Sequence, residues 1–225
     1  MIKALFQHCF PLHGERPSKI SLFNFVRKHI TPLPDDAILL DGACQNAWHV
    51  SFLFPHKINY IGIDIDEHCI IECRQKFPQF TFHHCALENL SSCVAKGDIF
   101  VSTNTFCYIS FENIEKIYQE LQKVLTDGAT ILVSTHYKKN YAANIQRFIS
   151  IFEKYFSLKE VMYYGNALSS KFEDLCSTNG YYKTSSHPCL QAIGENLLIS
   201  LEKMTQKNIN MNKGVACHGV FKKNI

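Results

Sequence analysis

The chain has 225 residues, of which 46% are hydrophobic and 19% charged, so it can form one domain with a full core and is not a disordered chain. The formal net charge is +3, and the Lys and Arg residues are scattered, which argues against a nucleic-acid or membrane-surface partner. The amino-terminal segment lacks the apolar run of a signal peptide, and no stretch approaches a membrane span. These features predict a cytoplasmic protein and leave its oligomeric state open.

The ten cysteines are expected to be reduced thiols, because disulfides are rare in the cytosol. They include no C-x-x-C pair of the kind that binds zinc. Cys69 and Cys73 are four residues apart on a predicted helix, and that spacing favours core packing. His83, His84 and Cys85 are adjacent on a predicted strand and alternate between its faces, so they cannot all chelate one ion. No metal site is expected.

Strand and helix signals alternate along the first half of the chain, and a further helix signal follows Tyr137. A short run of apolar residues predicts a strand buried on both faces, and apolar residues at helical spacing predict an amphipathic helix. The predicted strands are 37–40, 60–65, 80–85, 98–102 and 130–135. The predicted helices are 18–30, with Ser18 as its cap, 67–77, 111–125, which Asp127-Gly128 ends, and 140–156. Strands separated by helices indicate a doubly wound, mostly parallel sheet with helices on both faces.

The last third of the chain carries further strand signals at 158–163, 181–186, 197–202 and 215–221. A closing antiparallel hairpin is expected, and the pairing of 197–202 with 215–221 is favoured. We expect residues 1–225 to form one domain, in which residues 138–195 include a cap or lid over the active edge of the sheet. Ligands of such sheets bind outside the carboxyl ends of the strands, near the point where strand order reverses.

Five segments follow one another along the chain: AILLDGACQNAW, YIGIDIDEH, FTFHHCALENL, DIFVSTNTFCYIS and NIEKIYQELQKVLTDGATILVST. In this order they resemble the class I S-adenosylmethionine-dependent methyltransferases. Each segment alone is a weak signal, and their order and spacing carry the resemblance, which covers about residues 20–136. It implies a Rossmann-like α/β fold, a seven-stranded sheet with an antiparallel carboxyl-terminal strand, and S-adenosyl-L-methionine as the cofactor.

The resemblance also implies where the cofactor binds. Asp41 ends the first strand, and Asp64 ends the second, where a carboxylate accepts hydrogen bonds from both ribose hydroxyls. Ile65 is placed to pack on the adenine, while Cys85, Ala86 and Leu87 occupy the positions that bind its amino group and ring. Thr103, at the end of the fourth strand, completes the predicted set. Isolated acids at strand ends are common, so the alternative for Asp41 and Asp64 is a purely structural role.

The loop after Asp41 departs from the family. Glycines are expected where Ala43, Gln45 and Ala47 stand, and Gly42 lies one position early. Ala43 and Ala47 intrude only modestly on the space that glycine leaves for a cofactor. Gln45 is larger, and its side chain either points away or partly fills the site for the methionine part of the cofactor.

Catalytic candidates follow the fourth and fifth strands. His136 and Tyr108 are predicted as acid–base residues, Asn104 and Cys107 line the same predicted mouth, and His187 is a further candidate. An exposed loop histidine is often inert, which is the alternative for His136.

The sequence therefore predicts methyl transfer to a small-molecule acceptor. The segment Ser102–Thr105 lacks the N/D-P-P-F/Y signature of enzymes that methylate amino groups of nucleic acids. Two alternatives are a different reaction on the same scaffold and a non-catalytic binding protein. A nicotinamide dehydrogenase is disfavoured, because the turn has no G-x-G-x-x-G.

Overall fold

The computed structural model describes residues 17–30, 34, 36–47, 50, 58–136, 141–164 and 216–224. Its strands form one sheet with the order β3-β2-β1-β4-β5-β7-β6. They are β1 (Ile38–Gly42), β2 (Asn59–Asp64), β3 (Thr81–His84), β4 (Gly97–Thr103), β5 (Leu125–His136), β6 (Phe156–Tyr164) and β7 (Ala216–Lys223).

Four α-helices accompany the sheet in the described part of the chain. They are α1 (Pro17–Ile30), α2 (Glu67–Lys76), α3 (Phe111–Val124) and α4 (Tyr141–Glu153). The Asp66 side chain caps α2 by accepting from two backbone amides, and the Ser110 hydroxyl caps α3 by accepting from the Asn113 N–H. The predicted helices lie within three residues of these bounds. Since α1 begins at Pro17, Ser18 lies inside the helix and is not its cap.

Strands β1 to β5 pair in parallel, and β7 runs antiparallel between β5 and β6. This confirms the predicted fold class. The strand order reverses at β1, which pairs with β2 on one side and β4 on the other. None of the helices in the described ranges is both long and apolar enough to cross a bilayer.

The favoured hairpin between residues 197–202 and 215–221 is wrong in its pairing. Both edges of β7 are occupied, by β5 and by β6, so no third strand can pair with it. The strand that pairs with β7 in antiparallel fashion, on the side away from β5, is β6 (Phe156–Tyr164). The predicted strands 181–186 and 197–202 lie outside the described residues. Within the predicted cap, α4 and β6 account for most of residues 141–164. Residues 165–195 lie outside the described residues, so a cap there stays a prediction.

The predicted turn at Asp127-Gly128 lies inside a strand. Helix α3 passes directly into β5 at Leu125, and Gly128 adopts a φ of 74°. Tertiary pairing explains the longer strand, because Gly97 on β4 pairs with Leu125 before the register shifts. Local turn chemistry therefore did not decide where this strand begins.

The two faces of the sheet carry separate hydrophobic clusters. Leu40 joins a cluster with α3 and α4, whereas Leu39, its neighbour on β1, joins a cluster with α1 and α2. The continuous apolar run of β1 follows from this arrangement, because both faces of the strand are covered. The two clusters hold the carboxyl ends of β1, β2 and β4 at one edge of the sheet.

Candidate functional site

A cavity of about 780 Å³ lies above the carboxyl ends of β1, β2 and β4. Its walls come from four connections and two helices. They are the loop after β1 (43–46), the turn after β2 (64–66), the turn after β3 (85–88), the segment 103–109 after β4, the α2 residues Cys69 and Glu72, and Leu22 of α1. The volume falls within the range of about 300–1,000 Å³ that is usual for ligand pockets.

The loop after β1 follows a glycine-type path without glycine. Ala43, Gln45 and Ala47 adopt φ values of 58°, 48° and 46°, while the residues between them have no positive φ. These are the three positions at which the family resemblance expects glycine. Side chains disfavour this left-handed conformation, at about 1–2 kcal/mol per residue. The N–H groups of two of these residues are bonded within the protein: that of Gln45 to Asp64, and that of Ala47 to the Cys44 carbonyl oxygen.

The Asp64 carboxylate joins this loop to the start of α2. One oxygen accepts from the Gln45 N–H at 2.7 Å, and the other accepts from the Asp66 N–H at 2.9 Å. Asp64 is only 7% exposed and lines the cavity. An ionised carboxylate has about four acceptor sites, so the two oxygens can accept further hydrogen bonds from a ligand diol.

Two thiols hold the carbonyl side of the same loop. Cys73 Sγ donates to the Gln45 carbonyl oxygen at 3.1 Å, and Cys44 Sγ is 3.8 Å from it. Burial raises the pKa of both thiols, that of Cys73 to about 11. They therefore remain protonated donors with a structural role. Cys73 packs in the core as its spacing predicted, whereas Cys69, one turn earlier, lines the cavity.

The turns after β2 and β3 form an apolar shelf. Ile65 is 71% exposed and lines the cavity, although it follows a buried strand. His84 Nε2 lies 3.0 Å from the Ile65 carbonyl oxygen and supports this turn. Ala86 lines the cavity beside it, and Leu87 opens a 3₁₀ turn, whose first N–H groups have no partner within the turn.

Cys85 lines the cavity, but its thiol is engaged locally. Its Sγ donates to the carbonyl oxygens of Ala86 at 3.3 Å and Asn89 at 3.5 Å. Glu88, which sequence reasoning missed, also lines the cavity. Glu88 lies three residues after Cys85 in the chain, in the 3₁₀ turn that begins at Leu87.

The segment after β4 supplies the opposite wall. Thr103, Asn104 and Tyr108 line it, and Tyr108 is 82% exposed. Asn104 has a φ of 58°, and its N–H and side-chain oxygen bond to the carbonyl and hydroxyl of Ser134 on β5. Asparagine tolerates this conformation better than most residues.

His136 stands behind this wall. Its Nδ1 lies 3.5 Å from Cys107 Sγ, and its ring meets the Tyr108 ring edge-on at a centroid distance of 6.2 Å. Among the described residues, neither His136 nor Cys107 lines the cavity itself. Burial raises the pKa of the Cys107 thiol, so it stands beside the imidazole as a neutral donor. His187 lies outside the described residues.

Asp41 and Gly42 lie beneath the cavity and not in its wall. Asp41 is 2% exposed and accepts a hydrogen bond from the Tyr60 hydroxyl, whose pKa is raised by burial. A Cβ at Gly42 would come within 2.6 Å of the Phe100 ring, so this glycine serves core packing. Of the predicted cofactor residues, the structure brings together Ala43, Asp64, Ile65, Cys85, Ala86 and Thr103.

The described part of the wall carries four carboxylates and no Lys, Arg or His. They belong to Asp64, Asp66, Glu72 and Glu88. Asp66, Glu72 and Glu88 were missed from the sequence, although the capping position of Asp66 before α2 was a usable signal. A cationic group on a ligand would be favoured in this wall.

Comparisons with known proteins agree with this architecture. Residues 39–128 match the sequence model of a family described as a methyltransferase domain. A comparison with curated protein sequences finds no significant match.

Three solved structures illustrate the likeness of fold. A TehB-like SAM-dependent methyltransferase from Corynebacterium glutamicum is 14% identical with a TM-score of 0.58, covering 90% of this chain and 87% of its own. The N-methyltransferase NodS from Bradyrhizobium japonicum, solved with S-adenosyl-l-homocysteine, is 11% identical with a TM-score of 0.61, covering 93% and 89%. The [4+2]-cyclase SpnF is 11% identical with a TM-score of 0.60, covering 89% and 79%. Residues 39–128 are thus similar to a methyltransferase domain, and the chain shares the fold of S-adenosylmethionine-dependent methyltransferases.

Proposed function

We propose that this protein binds S-adenosyl-L-methionine above β1 and β2 and transfers its methyl group to a small-molecule acceptor. One observation carries the proposal: Asp64 stands on the cavity wall at the end of β2, with the loop 43–47 folded onto it through the Gln45 N–H. The loop keeps left-handed backbone at all three positions where the family has glycine. That coincidence is expected if the loop still shapes a nucleoside site.

The residues present suit this cofactor. The free acceptor capacity of Asp64 would hold the ribose hydroxyls, and the exposed Ile65 would cover the adenine face. The Leu87 N–H, at the start of its 3₁₀ turn, can donate to the adenine ring. The wall carboxylates favour the cationic sulfonium. When bound, the cofactor supplies an electrophilic methyl group.

The acceptor would enter on the side of β4 and β5. Asn104 is oriented there by Ser134, and the exposed Tyr108 ring offers a surface on which an organic acceptor can pack. Tyr108, on this wall, would take up a proton when the acceptor carries one to lose, and His136, in ring contact behind it, would support that role. The net charge of +3 and the segment Ser102–Thr105, which lacks the nucleic-acid signature, support a small molecule over a nucleic acid.

The direct test is titration calorimetry with S-adenosylhomocysteine. We expect the wild type to bind it and Asp64→Ala to weaken binding by about 1.5–3 kcal/mol, because charge-assisted hydrogen bonds to the ribose are lost. Asp98→Ala is the matched control: its carboxylate accepts from the Ile38 N–H and the Thr126 hydroxyl at the opposite end of the sheet. Absence of binding to the wild type, or equal affinity of the Asp64→Ala variant, would contradict the proposal.

A second candidate is a different reaction on the same scaffold. Gln45, on the cavity wall in place of a glycine, favours it, and the cyclase SpnF exemplifies an activity other than methyl transfer on this fold. Mass spectrometry of small molecules that co-purify with the protein separates the two. A bound S-adenosyl compound supports methyl transfer, whereas an unrelated ligand supports the second candidate.

A further inference from the structure

We propose that the Gln45 carboxamide is a specificity-determining group that binds the amino-acid end of the cofactor. This inference rests on the proposed function and deepens it. Gln45 has a φ of 48°, a conformation that glycine adopts without strain and a residue with a side chain does not. A strained residue in a cavity wall is a reason to look for a role of its side chain.

The backbone of Gln45 is held on both sides of its Cα. Its N–H donates to the Asp64 carboxylate at 2.7 Å, and its carbonyl oxygen accepts from Cys73 Sγ at 3.1 Å. With the N–H and the carbonyl both engaged, the direction of the Cα–Cβ bond is determined by the loop. The N–H and the carbonyl oxygen of Gln45 are thus engaged within the fold, and its side chain is the polar group of this residue that remains to contact a ligand.

The side chain has no competing partner in the described part of the chain. Gln45 is exposed and lines the cavity, and no hydrogen bond of its carboxamide to a described residue is present. A carboxamide has two donors and one acceptor, so it can serve both the carboxylate and the ammonium of an amino acid.

The charges of the wall indicate which end of the ligand needs this group. Asp66 and Glu72 line the same cavity and repel a ligand carboxylate, and the described wall offers no cation to pair with it. The neutral donors of Gln45 are therefore suited to the carboxylate of the methionine part. In this interpretation the side chain replaces contacts that a glycine loop makes through its backbone.

The test compares two ligands by titration calorimetry. S-adenosylhomocysteine carries the amino-acid end, and 5′-methylthioadenosine lacks it. We expect Gln45→Ala and Gln45→Gly each to lower the affinity for S-adenosylhomocysteine about tenfold, which is the effect of losing one hydrogen bond to a charged group. The affinity for 5′-methylthioadenosine should stay unchanged. Gln75→Ala, on the exposed side of α2, is the control and should change neither affinity.

Two results would overturn the inference. Unchanged or tighter binding of S-adenosylhomocysteine by both variants would mean that Gln45 merely occupies the space of the ligand. An equal loss for both ligands would mean that the substitution disturbs Asp64 and the nucleoside site. If the wild type binds neither ligand, the proposed function itself fails, and that outcome is distinct from both.

Discussion

The two rims of the cavity are built differently. On the cofactor rim, above β1 and β2, backbone groups of the loop 43–47 bond to Asp64 and to the buried thiols of Cys44 and Cys73. On the acceptor rim, above β4 and β5, the Asn104 N–H donates to the Ser134 carbonyl oxygen of the neighbouring strand, and the turn that follows bonds within itself, from Tyr108 N–H to the Thr105 carbonyl oxygen. There, the His136 side chain contacts both the Tyr108 ring and the Cys107 thiol.

This difference teaches how each rim tolerates sequence change. A rim held by backbone bonds keeps its path when its side chains change, which explains how the loop retains a glycine-type conformation at Ala43, Gln45 and Ala47. A rim built from side chains changes its chemistry with each substitution. If the acceptor binds at this rim, as we propose, substitutions there are expected to change the substrate preference on the same fold.

The largest expected effect comes from removing the anchor of the acceptor rim. Phe106 is fully buried, and its ring packs at centroid distances of 5.4 Å from Phe148 and 6.0 Å from Tyr118. It begins the short turn that carries Cys107 and Tyr108. We expect Phe106→Ala to lower the free energy of unfolding by about 3–5 kcal/mol, measured by urea denaturation.

The matched control at this position is Phe106→Leu, which keeps most of the apolar volume. This substitution should lower the free energy of unfolding by less than about 1.5 kcal/mol. A loss below about 1 kcal/mol for Phe106→Ala would show that the turn is not anchored through this ring, and the contrast between the rims would then lack its structural basis.

An acid-sensitive group backs the acceptor rim. His218 on β7 lies opposite Ser134, the partner of Asn104, and burial lowers its pKa to about 4. In the unfolded chain the His218 imidazole takes up a proton near pH 6.5, whereas in the folded protein it stays neutral down to about pH 4. The free energy of unfolding is therefore highest above pH 6.5 and decreases as the pH falls from 6.5 toward 4. The loss amounts to about 3 kcal/mol.

The measurement is urea unfolding across that pH range for the wild type and His218→Gln. The variant should show a flatter acid limb, because glutamine does not titrate. His68→Gln, on the exposed side of α2, provides the control and should follow the wild type. Parallel curves for the wild type and His218→Gln would contradict this account.

The smallest expected effect tests the strain of the cofactor rim. Ala43→Gly relieves a φ of 58°, but glycine also gains freedom in the unfolded chain, so the net stabilisation should lie below about 1 kcal/mol. Ala86 has a φ of −75°, so Ala86→Gly relieves no strain and should lower the free energy of unfolding by about 0.4–1 kcal/mol. Thermal unfolding distinguishes the two, and equal losses would show that the loop is unstrained.

Much of the cofactor rim could be predicted from the sequence because its residues directly follow strands. Asp64 and Ile65 end a recognisable apolar run, and Ala43 follows another. Asp41 was predicted by the same logic, yet the structure turns it beneath the cavity toward Tyr60. Glu72 and Leu22 could not be predicted, because only packing of α2 and α1 brings them to this wall.

The sequence by itself determined the alternation of strands and helices, the parallel sheet and the edge at which the site lies, because apolar periodicity and strand ends are local properties. Tertiary structure alone decided the partners of β7, the early start of β5 and the placement of Cys107 beside His136. These features depend on contacts between residues far apart in the chain, for which no local pattern exists. The left-handed loop at Ala43, Gln45 and Ala47 belongs to the same class, since long-range bonds to Asp64 and Cys73 hold residues there that on their own disfavour it.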